Sequence, residues 1–171
     1  MKIDDTDFVL FEVAPRFAQD RATLDARWKA LQAQVHPDRF VAQGAAAQHE
    51  ALQWALRVNE AYQRLKDPLA RAVYLCKLNG HDVNAETHSA MPVDFLMQQM
   101  AWREALDEAA TPEHIETLAD EVNAHRQALQ DKLAAAIDER ADWPGAAAHV
   151  RALMFMARFA QDIDGRLDSV S

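Results

Sequence analysis

A single cysteine in 171 residues excludes an internal disulfide, a Cys-rich zinc site and a cysteine-held cluster. It also fits a reducing compartment. Turn-formers are scarce as well. Four glycines and six prolines leave little room for a sheet of many short strands, and they exclude most Gly-rich phosphate loops. No apolar run approaches the roughly 18 residues that a membrane span needs. The opening Met1 to Asp7 holds three aspartates and no apolar stretch, unlike a secretory or mitochondrial leader. A soluble cytoplasmic protein is expected.

Positive charge is short in one half only. Residues 1–79 carry 11 Lys/Arg against 10 Asp/Glu, whereas residues 80–171 carry 7 against 17, which accounts for the net charge of −9. The acidic excess would repel phosphates and argues against nucleic acid. A near-neutral half joined to an acidic one suggests two modules with different partners.

What is present is helical periodicity. Apolar residues recur at three- and four-residue spacing along nearly the whole chain, which predicts an all-α protein. A short first helix carries Phe8, Leu10 and Phe11 and stops before Pro15. A second starts after Asp20, a capping residue type, with Leu24, Trp28, Leu31 and Val35 on one face. It ends at His36-Pro37, because a residue before proline is pushed out of helical geometry. A third runs from about Ala46 to Lys66 with the stripe Ala51, Ala55, Val58, Tyr62 and Leu65. After Asp67-Pro68 a shorter helix holds Ala72, Leu75 and Cys76 and stops at Asn79-Gly80.

Residues 80–90 are polar and aperiodic and read as a linker. Beyond them Pro92 suits the first turn of a helix reaching about Ala109. Thr111-Pro112-Glu113 then opens a helix with Ile115, Leu118, Val122, Leu129, Leu133 and Ile137. Trp143-Pro144-Gly145 is expected to break the chain before a last helix with Val150, Leu153, Ala157, Ile163 and Leu167. Short loops imply antiparallel neighbours. The predicted organisation is a helical-hairpin domain over 1–79, a linker over 80–90 and a C-terminal three-helix bundle over 91–171.

Between the second and third helices lies His36-Pro37-Asp38. Pro37 stiffens the turn, Asp38 offers an acceptor-only carboxylate suited to a partner arginine, and His36 donates or accepts near neutral pH. Nothing beside it looks like a nucleophile or a general base, so the tip reads as a recognition element; the bland alternative is a plain interhelix turn. Taken with Phe8-Val9-Leu10-Phe11-Glu12-Val13, the run Asn59 to Pro68, and Arg71, Ala72 and Tyr74, residues 7–76 resemble a J-domain. The resemblance implies binding to a DnaK-type ATPase chaperone and stimulation of its ATP hydrolysis through His36, Pro37 and Asp38. It also implies docking through basic residues, matched here by Arg27, Lys29 and Arg39. Two positions depart from the family pattern: Val35 where tyrosine is common, and Ala33 where a basic residue is common. The thin basic face predicts modest affinity with a marked salt dependence.

In the helix after Pro92, Phe95, Trp102 and Leu106 make a core-like stripe, while Leu96, Met97 and Met100 make a second beside it, continued by Glu104 and Glu108. Periodicity leaves two readings open for the second stripe, a wide core face or a partner surface; flexible methionines suit the latter. Phe155 likewise falls off the stripe of the last helix.

The whole chain is similar, in length and order, to the HscB family of J-type co-chaperones. The similarity lies in Pro68 to Leu75, Phe95-Leu96-Met97-Gln98-Gln99-Met100 and Arg103-Glu104-Ala105-Leu106-Asp107-Glu108. It implies that the C-terminal bundle binds the iron–sulfur cluster scaffold protein IscU and presents it to the ATPase HscA. The family's scaffold-contacting positions match Leu96, Met97, Met100, Glu104, Glu108 and Phe155. One acidic family position is Ala101 here. The Cys-pair metal motif of eukaryotic members is not present, so the chain resembles the bacterial type.

The histidines His49, His81, His88, His114, His125 and His149 show no ligand spacing. Cys76 reads as a small buried hydrophobe, and Trp28, Trp54, Trp102 and Trp143 as packing residues. The expectation is a non-enzymatic, monomeric adaptor with no cofactor, bound metal, nucleic acid or membrane. Other readings are a general J-domain co-chaperone for unfolded clients, a small metal-dependent helical enzyme, and a purely structural bundle.

Overall fold

The computed structural model describes residues 1–83 and 91–170. Its α-helices are α1 (Asp7–Leu10), α2 (Arg21–Val35), α3 (Ala45–Lys66), α4 (Pro68–Leu78), α5 (Val93–Glu108), α6 (Pro112–Asp138) and α7 (Trp143–Val170), with no strand among the described residues. The protein is all-α, and none of these helices is long and apolar enough to cross a membrane. The chain forms two compact units, Met1–Leu75 and Cys76–Ser171, divided within α4. Residues 84–90, most of the expected linker, lie outside the described residues.

In the first unit, α2 begins as its sequence dictates. The Asp20 carboxylate accepts from the Thr23 amide at 3.2 Å and the Thr23 hydroxyl at 2.6 Å, satisfying one of the open donors of the first turn. α2 and α3 form an antiparallel hairpin that buries Leu24, Leu31 and Val35 with Ala51, Val58, Ala61, Tyr62 and Leu65. Trp28 is half-buried. Its ring stacks on Tyr62 at 4.7 Å, and its indole N–H donates to Asn59 at 2.9 Å. A 3-10 turn, Pro37–Gln43, joins the two helices and ends at Gly44, whose φ of +99° is one that L side chains rarely adopt. α4 ends at Asn79-Gly80 as expected. Gly80 takes φ +83°, and the amides of Gly80 and His81 turn back to the carbonyls of Lys77 and Cys76. Cys76 is fully buried.

The acidic opening of the chain contains a side chain whose role its composition conceals. Asp7 is fully buried. Arg64 donates to it from Nε at 2.7 Å and Nη2 at 2.9 Å, and an Arg57 guanidinium nitrogen lies 2.8 Å away. The Tyr74 hydroxyl accepts from the Asp7 amide at 3.1 Å, and the Arg64 guanidinium lies over the Tyr74 ring at 4.7 Å. Hydrogen bonding to Asp7 raises the pKa of Arg64 further above its ordinary value. Arg71, also buried, donates to the carbonyls of Phe17 and Leu65 and tethers the loop after α1.

The second unit contains the bundle α5–α7. The Thr111 hydroxyl accepts from the His114 amide at 3.2 Å, with Pro112 at the first helical position. One boundary differs from expectation: Trp143-Pro144-Gly145 does not break the chain but forms the first turn of α7. Proline is tolerated there because first-turn amides have no intrahelical acceptor. The connection is instead Glu139 to Asp142, whose terminal carboxylate accepts from the Gly145 amide at 3.0 Å. A Cβ on Gly145 would lie 2.2 Å from that carboxylate, so glycine leaves room for the cap.

The core centres on Trp102, Leu106, Ile115, Leu118, Val122, Met156, Phe159 and Ile163. Met156 and Phe159, fully buried, displace the expected Ala157, which is only half-buried. α5 and α6 are antiparallel, as are α6 and α7, so α5 runs alongside α7.

Candidate functional site

The first candidate element is the tip of the α2–α3 hairpin. His36 ends α2 in extended geometry, as a residue before proline must, and Pro37 opens the 3-10 turn. His36 Nδ1 accepts from the Asp38 amide at 3.2 Å and lies 3.6 Å from the Asp38 carboxylate. Both side chains stay open to solvent, Asp38 at 86%. The tip is therefore shaped by its own hydrogen bonds and spends none of the Asp38 carboxylate on the remainder of the hairpin.

The three expected basic residues are not brought together. Arg27 forms a 3.2 Å ion pair with Glu12. Lys29, two residues on, points to the opposite flank of α2, since two residues of helix turn by about 200°. Arg39 curls back so that Nη1 donates to the Ala33 carbonyl at 2.8 Å in the last turn of α2. There it satisfies an open carbonyl and complements the negative end of the helix.

The second candidate element is the outer face of α5. Leu96, Met97 and Met100 are 42%, 63% and 72% exposed, so the second stripe is surface rather than core. Val93, 69% exposed and four residues before Met97, extends the patch. Its i, i+4 spacing to Met97 is the sequence signal that places it on the same helical face. Glu104 and Glu108, each one turn further along, are exposed.

Phe155 on α7 is half-buried, off the main stripe as expected yet packed against the core. Its ring stands edge-on to Phe95 at 5.9 Å and 90°, and stacks on Phe159 at 5.8 Å and 12°. Phe159 stacks in turn on Trp102 at 6.2 Å. Between α5 and α7 lies an open groove of about 520 Å³ lined by Gln99, Met100, Arg103, Glu104, Asp107, Glu108 and Phe155. Gln99, Arg103 and Asp107 join the site only through helix packing. Three carboxylates and one guanidinium on an apolar floor suit a partner with basic groups around an apolar anchor. Among the described residues no cluster of three or more His, Cys, Asp or Glu side chains is arranged to hold a metal ion.

Comparison with known proteins agrees with this architecture. A family model described as the HSCB C-terminal oligomerisation domain matches residues 91–164. A co-chaperone protein HscB homolog of Burkholderia thailandensis is 46% identical over 171 residues, covering 98% of this chain and 97% of the relative. Among solved structures, chaperone HscB from Vibrio cholerae superposes with TM-score 0.83 at 31% identity, covering 98% of this chain and 100% of that one. Human co-chaperone protein HscB superposes with TM-score 0.88 at 27% identity, covering 96% of this chain and 83% of that one. The fold and these relatives define a J-type co-chaperone. The relationship extends over nearly the full length of the chain, through both of its compact units. The chain belongs to the HscB family.

Proposed function

We propose that this chain is an adaptor of iron–sulfur cluster assembly that delivers the scaffold protein IscU to an HscA/DnaK-type ATPase and stimulates ATP hydrolysis. Residues 1–79 act as the J-domain, with His36, Pro37 and Asp38 contacting the ATPase and Arg27, Lys29 and Arg39 adding positive charge around the contact. Residues 91–171 act as the scaffold-binding bundle, joined through 80–90. Leu96, Met97, Met100 and Phe155 provide the apolar contact, and Glu104 and Glu108 its acidic edge. The reading places the protein in the cytoplasm, in keeping with its single cysteine.

The observation that carries this reading is the coexistence, in one HscB-family chain, of an exposed His-Pro-Asp tip and an exposed Leu/Met face edged by carboxylates. Holding client and ATPase on one chain raises the concentration of each at the other. The bond-breaking chemistry belongs to the partner's nucleotide site.

The test is the steady-state ATPase rate of the cognate chaperone, measured alone, with this protein, with the scaffold and with both. Stimulation by this protein that rises further with the scaffold is expected. Turnover that stays basal with both present overturns the proposal.

A further inference from the structure

Among the described residues, the lining of the α5–α7 groove holds one cation and three carboxylates. Arg103 has Asp107 one turn away on its own helix, but its guanidinium crosses to α7. There Nη1 meets the Asp162 carboxylate at 2.7 Å. On the way it lies over the Phe159 ring at 5.0 Å and the Phe155 ring at 5.9 Å. Asp162 is not among the groove-lining residues, so the charge of Arg103 is neutralised from outside while its guanidinium lies over the two rings. Phe155 is thereby bounded by Phe95, whose ring is perpendicular to it, by the face of Phe159 and by the guanidinium of Arg103, and it also lines the groove.

We propose that Arg103, anchored by Asp162, is a positioning residue of the client face: it fixes the Phe155 ring in the orientation that a docking partner meets. The inference rests on the reading of this face as the scaffold-binding surface. It differs in sign from a purely electrostatic role. The partner suited to this groove is basic, so removing a positive charge from the groove should by itself strengthen binding. Releasing the Phe155 ring should weaken it, because the partner must then order the ring on docking.

The experiment is calorimetric titration of the full-length protein with the purified scaffold protein, at low and at high salt, for wild type, Arg103→Gln, Arg103→Lys and Asp162→Asn. Arg103 and Asp162 are each about half exposed, and circular dichroism with urea unfolding establishes that each variant is folded. Arg103→Gln is expected to weaken binding roughly two- to tenfold, the range for ordering one side chain. The loss should persist at high salt, where a charge effect is screened. Arg103→Lys keeps the charge but replaces the broad guanidinium over the rings with a compact ammonium, and should also weaken binding. Asp162→Asn should do the same from outside the groove. In a Phe155→Ala background the Arg103→Gln loss should vanish, since both act through one ring.

Unchanged or tighter binding by Arg103→Gln, or a loss fully retained without Phe155, overturns the inference while sparing the scaffold-binding reading. If wild type does not bind the scaffold, the reading and the inference fall together.

Discussion

Arg64 grips Asp7 with two nitrogens of its guanidinium, at 2.7 and 2.9 Å, across 57 residues of sequence. The pair fastens α1 to α3, and Arg57 closes it from one side. Removing one member of such a buried network strands the others in a poorly solvated place.

Asp7→Ala should therefore lower stability by about 3–5 kcal/mol, the range for breaking a buried ion pair. Urea unfolding followed by circular dichroism reads this directly. A loss within the ordinary surface range of about 0.5 kcal/mol would show that Arg57 and Arg64 are solvated without their partner.

His36→Gln and Asp38→Asn should each abolish stimulation of the partner ATPase while leaving helix content and scaffold affinity unchanged. The exposure of both side chains is the reason to expect no unfolding. A variant that unfolds instead would assign the tip a structural role.

The α5 face should separate binding from stability residue by residue. Leu96→Ala with Met100→Ala should weaken scaffold binding by about 2 kcal/mol or more if these are interface anchors, with little change in unfolding midpoint. Phe155→Ala should weaken binding and also lower stability by roughly 1–3 kcal/mol, because its half-buried ring packs against Phe95 and Phe159. Calorimetric titration and urea unfolding on the same samples distinguish the two behaviours.

His149 makes stability depend on pH. Burial holds its imidazole below the ordinary value of 6.5; Lys132 and Arg140 push the same way, and Asp142 opposes them. As pH falls through 6.5 the unfolded chain takes up a proton before the native one does, so stability declines until the native pKa is passed. The urea midpoint should drop more between pH 7.5 and 5.5 for wild type than for His149→Gln. Equal drops would remove His149 as a cause.

Features governed by neighbours in sequence were legible before the fold was known. The Asp20 cap, the end of α2 at His36-Pro37 and the Gly80 stop each depend on a few adjacent residues and came out as read. The Trp143-Pro144-Gly145 turn did not, because proline and glycine are permitted in a first helical turn and Asp142 supplies the cap. The burial of Asp7 depends on arginines more than 50 residues away. The reach of Arg103 across to Asp162 and the rings of Phe155 and Phe159 depends on how α5 lies beside α7. A one-helix periodicity carries no record of either. The exposure of Leu96, Met97 and Met100 stood between two readings for the same reason: a second apolar stripe beside a core-like one does not say whether the core is wide enough to cover it.

The hydrogen bond from the Asp38 amide to His36 Nδ1 also bears on the polarity of the hairpin tip. With that nitrogen occupied as an acceptor, the neutral ring carries its proton on Nε2. The outer edge of the imidazole thus offers an N–H, while the carboxylate beside it offers only lone pairs. In that tautomer the tip presents one donor beside one anion, a pairing that a surface offering an acceptor and a cation in the same order would match.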